Sequence, residues 1–332
     1  MLTAVNLRKV FVTKEKKGPW RSRKKEVVAV NTLDLAIRPG EIVGLLGING
    51  AGKTTTIKML STLLVPTAGS IMVDGTDAVK EPMKVKKRIN MIAGGERMLY
   101  WRLTARENLA YFGSLYGLSG KALTERIHRL LQAVELEAAA DTPVEQYSKG
   151  MKQRLQIARG LINNPSYLFL DEPTLGLDAP IAKHLREHIR NLAVKEGKGI
   201  LLTSHYLTEV EALCERVYII DQGELVLHDT PKRVIQKVAA GEILSLWVSG
   251  LLPATHEHLR QMLVPLEASL TILEQSDGVE LRIQSKGEIT AQVLKFLFEH
   301  GVIPHRLEVE KPKLEDAILK LAGREEKGRE KA

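Results

Sequence analysis

The octapeptide Gly47-Ile48-Asn49-Gly50-Ala51-Gly52-Lys53-Thr54 fits G-x-x-x-x-G-K-[ST], and its flanks leave few folds open. Before it, Ile42 to Leu46 is an unbroken apolar run, the mark of a strand covered on both faces. After it, a helical pattern runs toward Leu64. A strand, a glycine-rich turn and a helix in that order let backbone N–H groups converge on phosphate oxygens, and the helix N-terminus adds partial positive charge. In this setting Lys53 is expected to bridge the outer phosphates of a nucleotide, and the Thr54 hydroxyl to ligate magnesium.

The 332 residues allow about two domains. Apolar residues at 44% and charged residues at 27% exclude a disordered chain. No apolar run approaches the ~18 to 20 residues that cross a bilayer, and the first residues carry no signal-peptide pattern, so the chain is expected in the cytosol. Cys214 is the only cysteine, which excludes an internal disulfide and a cysteine-based zinc site; it reads as buried filler. The net charge is +8, and the Lys14 to Lys25 segment holds seven basic residues and one acid. With strands at Leu7 to Thr13 and Val27 to Ala36, this segment reads as the solvated tip of a hairpin around Gly18-Pro19.

From Glu41 to Ile220 short apolar runs alternate with helical patterns, which predicts a mostly parallel sheet wrapped by helices, an α/β fold. Tyr167 to Leu170 and Ile200 to Thr203 are further inner strands. Helices over Leu103 to Gly117 and Lys121 to Ala139 fall in an insertion at about 96–165. The first domain is expected over 1–240. Residues 241–322 change character: Val279 to Gln284 alternates strictly, and Ile289, Val293, Leu294, Leu297 and Phe298 share one helical face. The order strand, helix, two strands, helix, strand, helix predicts a small ferredoxin-like α+β domain, followed by a charged tail at 323–332.

The strand Tyr167 to Leu170 ends in Asp171-Glu172, where a parallel sheet presents its ligands. Asp171 is expected to hold magnesium and Glu172 to act as general base on the attacking water. The strand ending at Thr203 leads to Ser204-His205, which brings an imidazole to the same edge, within reach of a γ-phosphate.

Tyr147-Ser148-Lys149-Gly150-Met151-Lys152-Gln153-Arg154 lies about twenty residues before the acidic strand and resembles the ABC ATPase signature. With the phosphate loop, Asp171-Glu172, the Asp-loop Gly176-Leu177-Asp178 and His205 in family order, residues 3 to about 238 resemble an ABC transporter ATP-binding subunit with a P-loop NTPase core. The resemblance implies ATP and Mg2+ as cofactors. It implies nucleotide contacts at Gly47, Asn49, Gly50, Ala51, Gly52, Lys53, Thr54 and Thr55, and an adenine-stacking aromatic at Phe11, with Trp20 as a rival. It also implies that ATP closes between two chains, the signature residues Tyr147 to Met151 and Asp178 of one facing the nucleotide of the other. The helix at 150–163 would then point its positive end at the partner's γ-phosphate. The implied partners are a second copy or a related ATPase subunit, and integral membrane permease subunits at the cytoplasmic face of the membrane. Contact with cargo or nucleic acid is not expected.

Departures from the family pattern are informative. The usual Leu-Ser-Gly-Gly-Gln signature appears as Tyr147-Ser148-Lys149-Gly150-Met151, a version similar to the antibiotic and multidrug exporter branch, as is the Pro312-Lys313-Leu314-Glu315-Asp316 run. Where the family places a magnesium-contacting glutamine stands Gly95, so Glu96 is the candidate replacement as a metal contact. Met98, Leu99, Tyr100 and Trp101 follow, either near the groove for a membrane subunit or buried in the insertion. His184-Leu185-Arg186-Glu187-His188 fits the H-x-x-E-H zinc pattern. Its apolar neighbours Leu185, Ile189 and Leu192 form the core face, so both histidines are expected in solvent. The alternative reading, an ABC-type ATPase acting on nucleic acid or the ribosome, draws on the basic segment.

Overall fold

A computed structural model of the chain describes residues 1–16, 22–93, 99–238, 241–249, 253–275, 278–285 and 287–329. It divides into two compact units, Met1–Pro231 and Lys232–Ala332. In the first, strands β1 (Leu2–Lys16), β2 (Ser22–Ile37) and β3 (Ile42–Leu46) lead into helix α1 (Lys53–Leu60). Then come β4 (Ala68–Val73), β5 (Thr76–Asp77), α2 (Pro82–Lys86) and β6 (Ile89–Ala93). The insertion follows as α3 (Ala105–Leu115), α4 (Gly120–Ala133) and α5 (Lys149–Gly160). The chain returns through β7 (Tyr167–Asp171), α6 (Ala179–Val194), β8 (Gly199–Thr203), α7 (Leu207–Leu213), β9 (Arg216–Asp221) and β10 (Glu224–Asp229).

The central sheet runs β10-β9-β3-β8-β7-β6, with β10 antiparallel at one edge and the other strands parallel. Every residue of β3 and β8 is buried, which explains why neither shows polar alternation. The second sheet, β2-β1-β4-β5, is antiparallel. Leu2, Leu33, Ile37 and Ile71 from its strands share a core with Val43, Leu45, Ile57, Phe169 and Leu201.

The hairpin strands reach further than expected, pairing down to Lys16 opposite Ser22. Most of the basic segment therefore lies on paired strands, and Trp20 falls outside the described residues. The second predicted insertion helix is shorter than expected. It ends at Ala133, Glu135 takes a left-handed φ of 56°, and the rest of the expected helix is replaced by a 3-10 turn at Glu137–Ala139. A capping box between Thr104 and Glu107 starts α3. Asn108 is buried and binds the Tyr100 backbone in both directions, at 2.9 and 3.0 Å. That tie leaves the Tyr100 and Trp101 side chains exposed, with Leu99 buried.

The boundary falls after the first residue of α8 (Pro231–Val238), and the second unit continues with β11 (Ile243–Val248), α9 (Pro253–Leu263), β12 (Ser269–Gln275), β13 (Gly278–Gln284), α10 (Thr290–Glu299), β14 (Arg306–Glu310) and α11 (Leu314–Arg329). Its sheet order is β12-β13-β11-β14, antiparallel throughout. A βαββαβ chain paired this way is the split βαβ arrangement of ferredoxin-like folds. Leu244, Leu246, Val248, Leu281 and Ile283 meet Leu259, Leu263, Val293 and Leu297 in its core. Phe298 corrects the sequence reading: it points away from that face and is exposed, and Phe296 packs against the core instead.

Candidate functional site

The order β3-β8-β7 sets three parallel strands side by side, so the segments after their C-terminal ends meet at one edge. These are the phosphate-loop motif, Ser204-His205 and Asp171-Glu172, the point where a parallel sheet presents ligands. Gly47 has φ 157°, and a Cβ there would lie 2.2 Å from the Ile220 carbonyl oxygen. Gly52 has φ 103°, and its Cβ would meet the Ala29 carbonyl oxygen at 2.5 Å. Only glycine lets the loop run this close to its neighbours. Asn49 and Gly50 are exposed on the loop, Ala51 is buried beneath it, and on α1 Thr54 is exposed and Thr55 half-buried. Helix α1 begins without a side-chain cap and without an acidic residue in its first turn, so its positive end serves the loop.

The Lys53 ammonium donates to the carbonyls of Gly47 at 2.6 Å and Ile48 at 3.1 Å, folding back over its own loop. Burial pulls its pKa below the usual lysine value, while Glu172 and then Asp171 push it up. The opposing pull places the cation in the field of both carboxylates.

Asp171 and Glu172 are fixed by Thr203. Its hydroxyl donates to Asp171 Oδ1 at 2.6 Å and accepts from the Glu172 N–H at 3.2 Å, and its carbonyl accepts from the same N–H at 3.0 Å. Glu172 holds a left-handed φ of 53°, a conformation that costs a non-glycine residue about 1 kcal/mol or more and persists where the surroundings enforce it. His205 Nε2 lies 2.7 Å from Glu172 Oε1. The imidazole thus meets the glutamate at the edge where the sequence had aimed it at a phosphate.

The signature segment is built separately. Buried Tyr147 donates its hydroxyl to the Ala139 carbonyl at 2.5 Å. Ser148 caps α5 by accepting from the Met151 N–H at 3.2 Å, and the helix starts at Lys149 and ends at Gly160, shorter than the expected 150–163. A Cβ on Gly150 would sit 2.7 Å from Ile181 Cδ1, so glycine permits close packing of α5 on α6. Lys149 reaches the Asp-loop at Gly176. Asp178 stands at the N-cap position of α6, although its side chain makes no cap bond. A cavity of about 420 Å3 is lined by Ser148, Met151, Gln153, Leu177, Ile181 and His188 among others, and by no residue of the phosphate loop.

A family model described as ABC transporter matches residues 30–175. The chain is 42% identical over 232 residues to the ABC transporter ATP-binding protein NatA of Bacillus subtilis (strain 168), covering 70% of this chain and 94% of that one. It is 33% identical over 324 residues to the linearmycin resistance ATP-binding protein LnrL of the same strain, covering 98% and 99%. A solved dimeric ATP-binding cassette in a post-hydrolysis state with ADP and Pi superposes with a TM-score of 0.59 at 26% identity, over 69% of this chain and 98% of that one. The chain belongs to the ABC transporter ATP-binding family. It is an ABC ATPase.

Other expected residues of the cassette fare differently. Phe11 is 38% exposed on β1, with the Lys9 ammonium over its ring at 5.3 Å from the centroid. Gly95, Glu96 and Met98 lie outside the described residues. His184 is exposed as expected, but His188 corrects the sequence reading: it is half-buried, its Nε2 has no hydrogen-bond partner, and burial lowers its pKa. Sequence reasoning missed Thr203, Thr174 and Glu209. Glu209 is 2% exposed and accepts from the hydroxyls of Ser204 at 2.6 Å and Thr174 at 2.9 Å. No local signal could have found Glu209, since Glu209 and Glu211 both adjoin Val210.

Proposed function

We propose that this ATPase works as one half of a pair that closes around two Mg-ATP and drives separately encoded membrane subunits, in the direction of export. One observation carries the pairing: the Ser148 end of α5 and the Lys53 loop occur in one chain, yet Ser148, Gly150 and Met151 of the signature line a cavity that includes no phosphate-loop residue. A helix N-terminus left at the surface is suited to an anion brought by another molecule. The dimeric state of the post-hydrolysis cassette supports the same reading.

Within each half, Lys53 and the loop backbone bind the phosphates, and Asp171 with the Thr54 hydroxyl offers the hard oxygen donors that magnesium takes. When bound, magnesium neutralises phosphate charge. Glu172 orients and deprotonates the attacking water, and His205, held on Glu172, orients that carboxylate and lies within reach of the transferred phosphoryl group. Glu96 is proposed as the metal contact in place of the missing glutamine. Phe11 is proposed to stack on adenine. The signature variant and the resistance function named for LnrL favour export. Residues 241–322 are proposed as an accessory domain with no part in the chemistry. No helix among the described residues is long and apolar enough to cross a membrane, and the working place proposed is the cytoplasmic face, against permease subunits. The matches are to transporter ATPases and lend no support to the nucleic-acid alternative.

The test is Glu172→Gln. It is expected to reduce turnover by more than about 100-fold, within the range of general-base contributions, while ATP converts the chain to a pair detectable by size-exclusion chromatography. Normal hydrolysis by this variant would remove Glu172 from the role of base, and a chain that turns over at full rate as a monomer would remove the pairing.

A further inference from the structure

Glu172 and His205 lie on different loops, and their 2.7 Å contact requires those loops to keep a fixed separation. Two residues after Glu172 comes Thr174, 3% exposed, and immediately before His205 comes Ser204, 7% exposed. Both hydroxyls donate to one atom, Glu209 Oε2. Ser204 Oγ also accepts from the Tyr206 N–H at 3.0 Å, so its hydroxyl defines the turn that presents His205. The other carboxylate oxygen, Oε1, is buried without a hydrogen-bond partner. An acceptor left unsatisfied in the interior is unfavourable; the bonds to Oε2 are what this placement provides.

We propose that Glu209 is a positioning residue of the ATPase, clamping the Glu172 loop to the His205 loop through Thr174 and Ser204. The inference rests on the reading of Glu172 as base. Among the described residues no hydrogen bond or ion pair joins the Glu209 carboxylate to Glu172 or His205, and its hydroxyl partners are Thr174 and Ser204, neither of them on the phosphate loop. Its loss therefore misaligns the base and the imidazole while nucleotide binding stays as it was. Misplacements of about 1 Å in reacting groups reduce rates by up to about 100-fold.

The experiment compares Glu209→Ala, Glu209→Gln, Thr174→Val and Ser204→Ala in the full chain, with ATPase rates normalised to folded protein and ATP affinity measured separately. Expected are a fall in kcat of at least about tenfold for Glu209→Ala with ATP affinity within about twofold of the parent. Glu209→Gln should recover most of the rate, because its amide oxygen accepts both hydroxyl bonds. Thr174→Val and Ser204→Ala should each show a partial loss that adds little to Glu209→Ala. If Glu209→Ala does not fold, the two hydroxyl variants carry the test. The inference is overturned by a parental kcat in Glu209→Ala, by kcat and ATP affinity falling together, or by Glu209→Gln failing to recover. Glu172→Gln serves as the control: if it is inactive while Glu209→Ala is active, the clamp alone is wrong. If Glu172→Gln hydrolyses ATP normally, the base assignment fails and the clamp fails with it.

Discussion

Each compact unit buries a carboxylate that gathers its donors on a single oxygen. In the first unit Glu209 Oε2 takes the hydroxyls of Thr174 and Ser204. In the second, Glu242 Oε1 takes the N–H of Ile289 at 2.6 Å and both the N–H and hydroxyl of Thr290, at 3.0 and 2.9 Å. The chemistry is alike, but the donors differ. Those of Glu209 flank Glu172 and His205, whereas those of Glu242 open helix α10, where an acceptor satisfies N–H groups that the helix itself leaves over. The same interaction thus serves alignment in one unit and helix capping in the other. Losing it should be read out as rate in the first and as stability in the second.

The largest effect that could break this contrast belongs to Lys53. Lys53→Ala removes a half-buried cation that lies in the field of Glu172 and Asp171 and leaves the two carboxylates without it. ATP affinity is expected to fall by at least about 100-fold, since charge-assisted contacts to phosphate are among the strongest hydrogen bonds. Equilibrium binding of ATP is the measurement. Unchanged protection of α10 amides in hydrogen exchange would confirm that the damage stays within the first unit.

Next in size is Thr203→Val, which keeps the shape of a residue with 0% exposure and deletes its hydroxyl. Asp171 loses a donor at 2.6 Å and the Glu172 N–H loses one of its two acceptors. Turnover should fall about tenfold, and stability by about 1 to 3 kcal/mol, the range for a lost hydrogen bond with the upper end for a charged partner such as Asp171. A loss of stability with a parental rate would show that the strand-end network merely holds the sheet together, like the cap in the second unit.

The features legible in the sequence are those written in short-range patterns. The phosphate loop shows because glycine is obligatory where Gly47 and Gly52 approach backbone oxygens, and β3 and β8 show because strands covered on both faces are continuously apolar. The βαββαβ order shows because Leu281 and Ile283 alternate with exposed Arg282 and Gln284. Glu209 was not legible. In Leu207-Thr208-Glu209-Val210-Glu211 the two glutamates look equivalent, yet Glu209 is buried and Glu211 exposed. The choice is made by Thr174, 35 residues away, and no local pattern encodes that partner. The Glu172 to His205 contact was hidden for the same reason, since it joins segments 33 residues apart in the chain. Phe298 was misplaced because a helical face drawn from spacing alone cannot distinguish it from Phe296, and the core accepted Phe296.

The smallest effect tests the second unit directly and turns on pH. Burial pushes the Glu242 carboxyl upward, but the bonds from Ile289 and Thr290 outweigh it and hold the pKa below the ordinary value of 4.5. A carboxylate with a lowered folded pKa contributes stability that is complete above its unfolded pKa and disappears as pH falls through the folded one. The cap should therefore act fully at neutral pH and weaken only below about pH 4.5. Glu242→Ala is expected to cost about 2 kcal/mol at neutral pH, in the range for hydrogen bonds to a charged group. The parent and the variant should converge as the pH falls further. Amide exchange of Thr290 and its successors on α10, followed from neutral to acidic pH, measures this locally, with the ATPase rate per folded molecule unchanged at neutral pH. A pH-independent difference would mean that Glu242 acts by packing alone, and a lowered rate would extend the alignment role of buried carboxylates into the second unit.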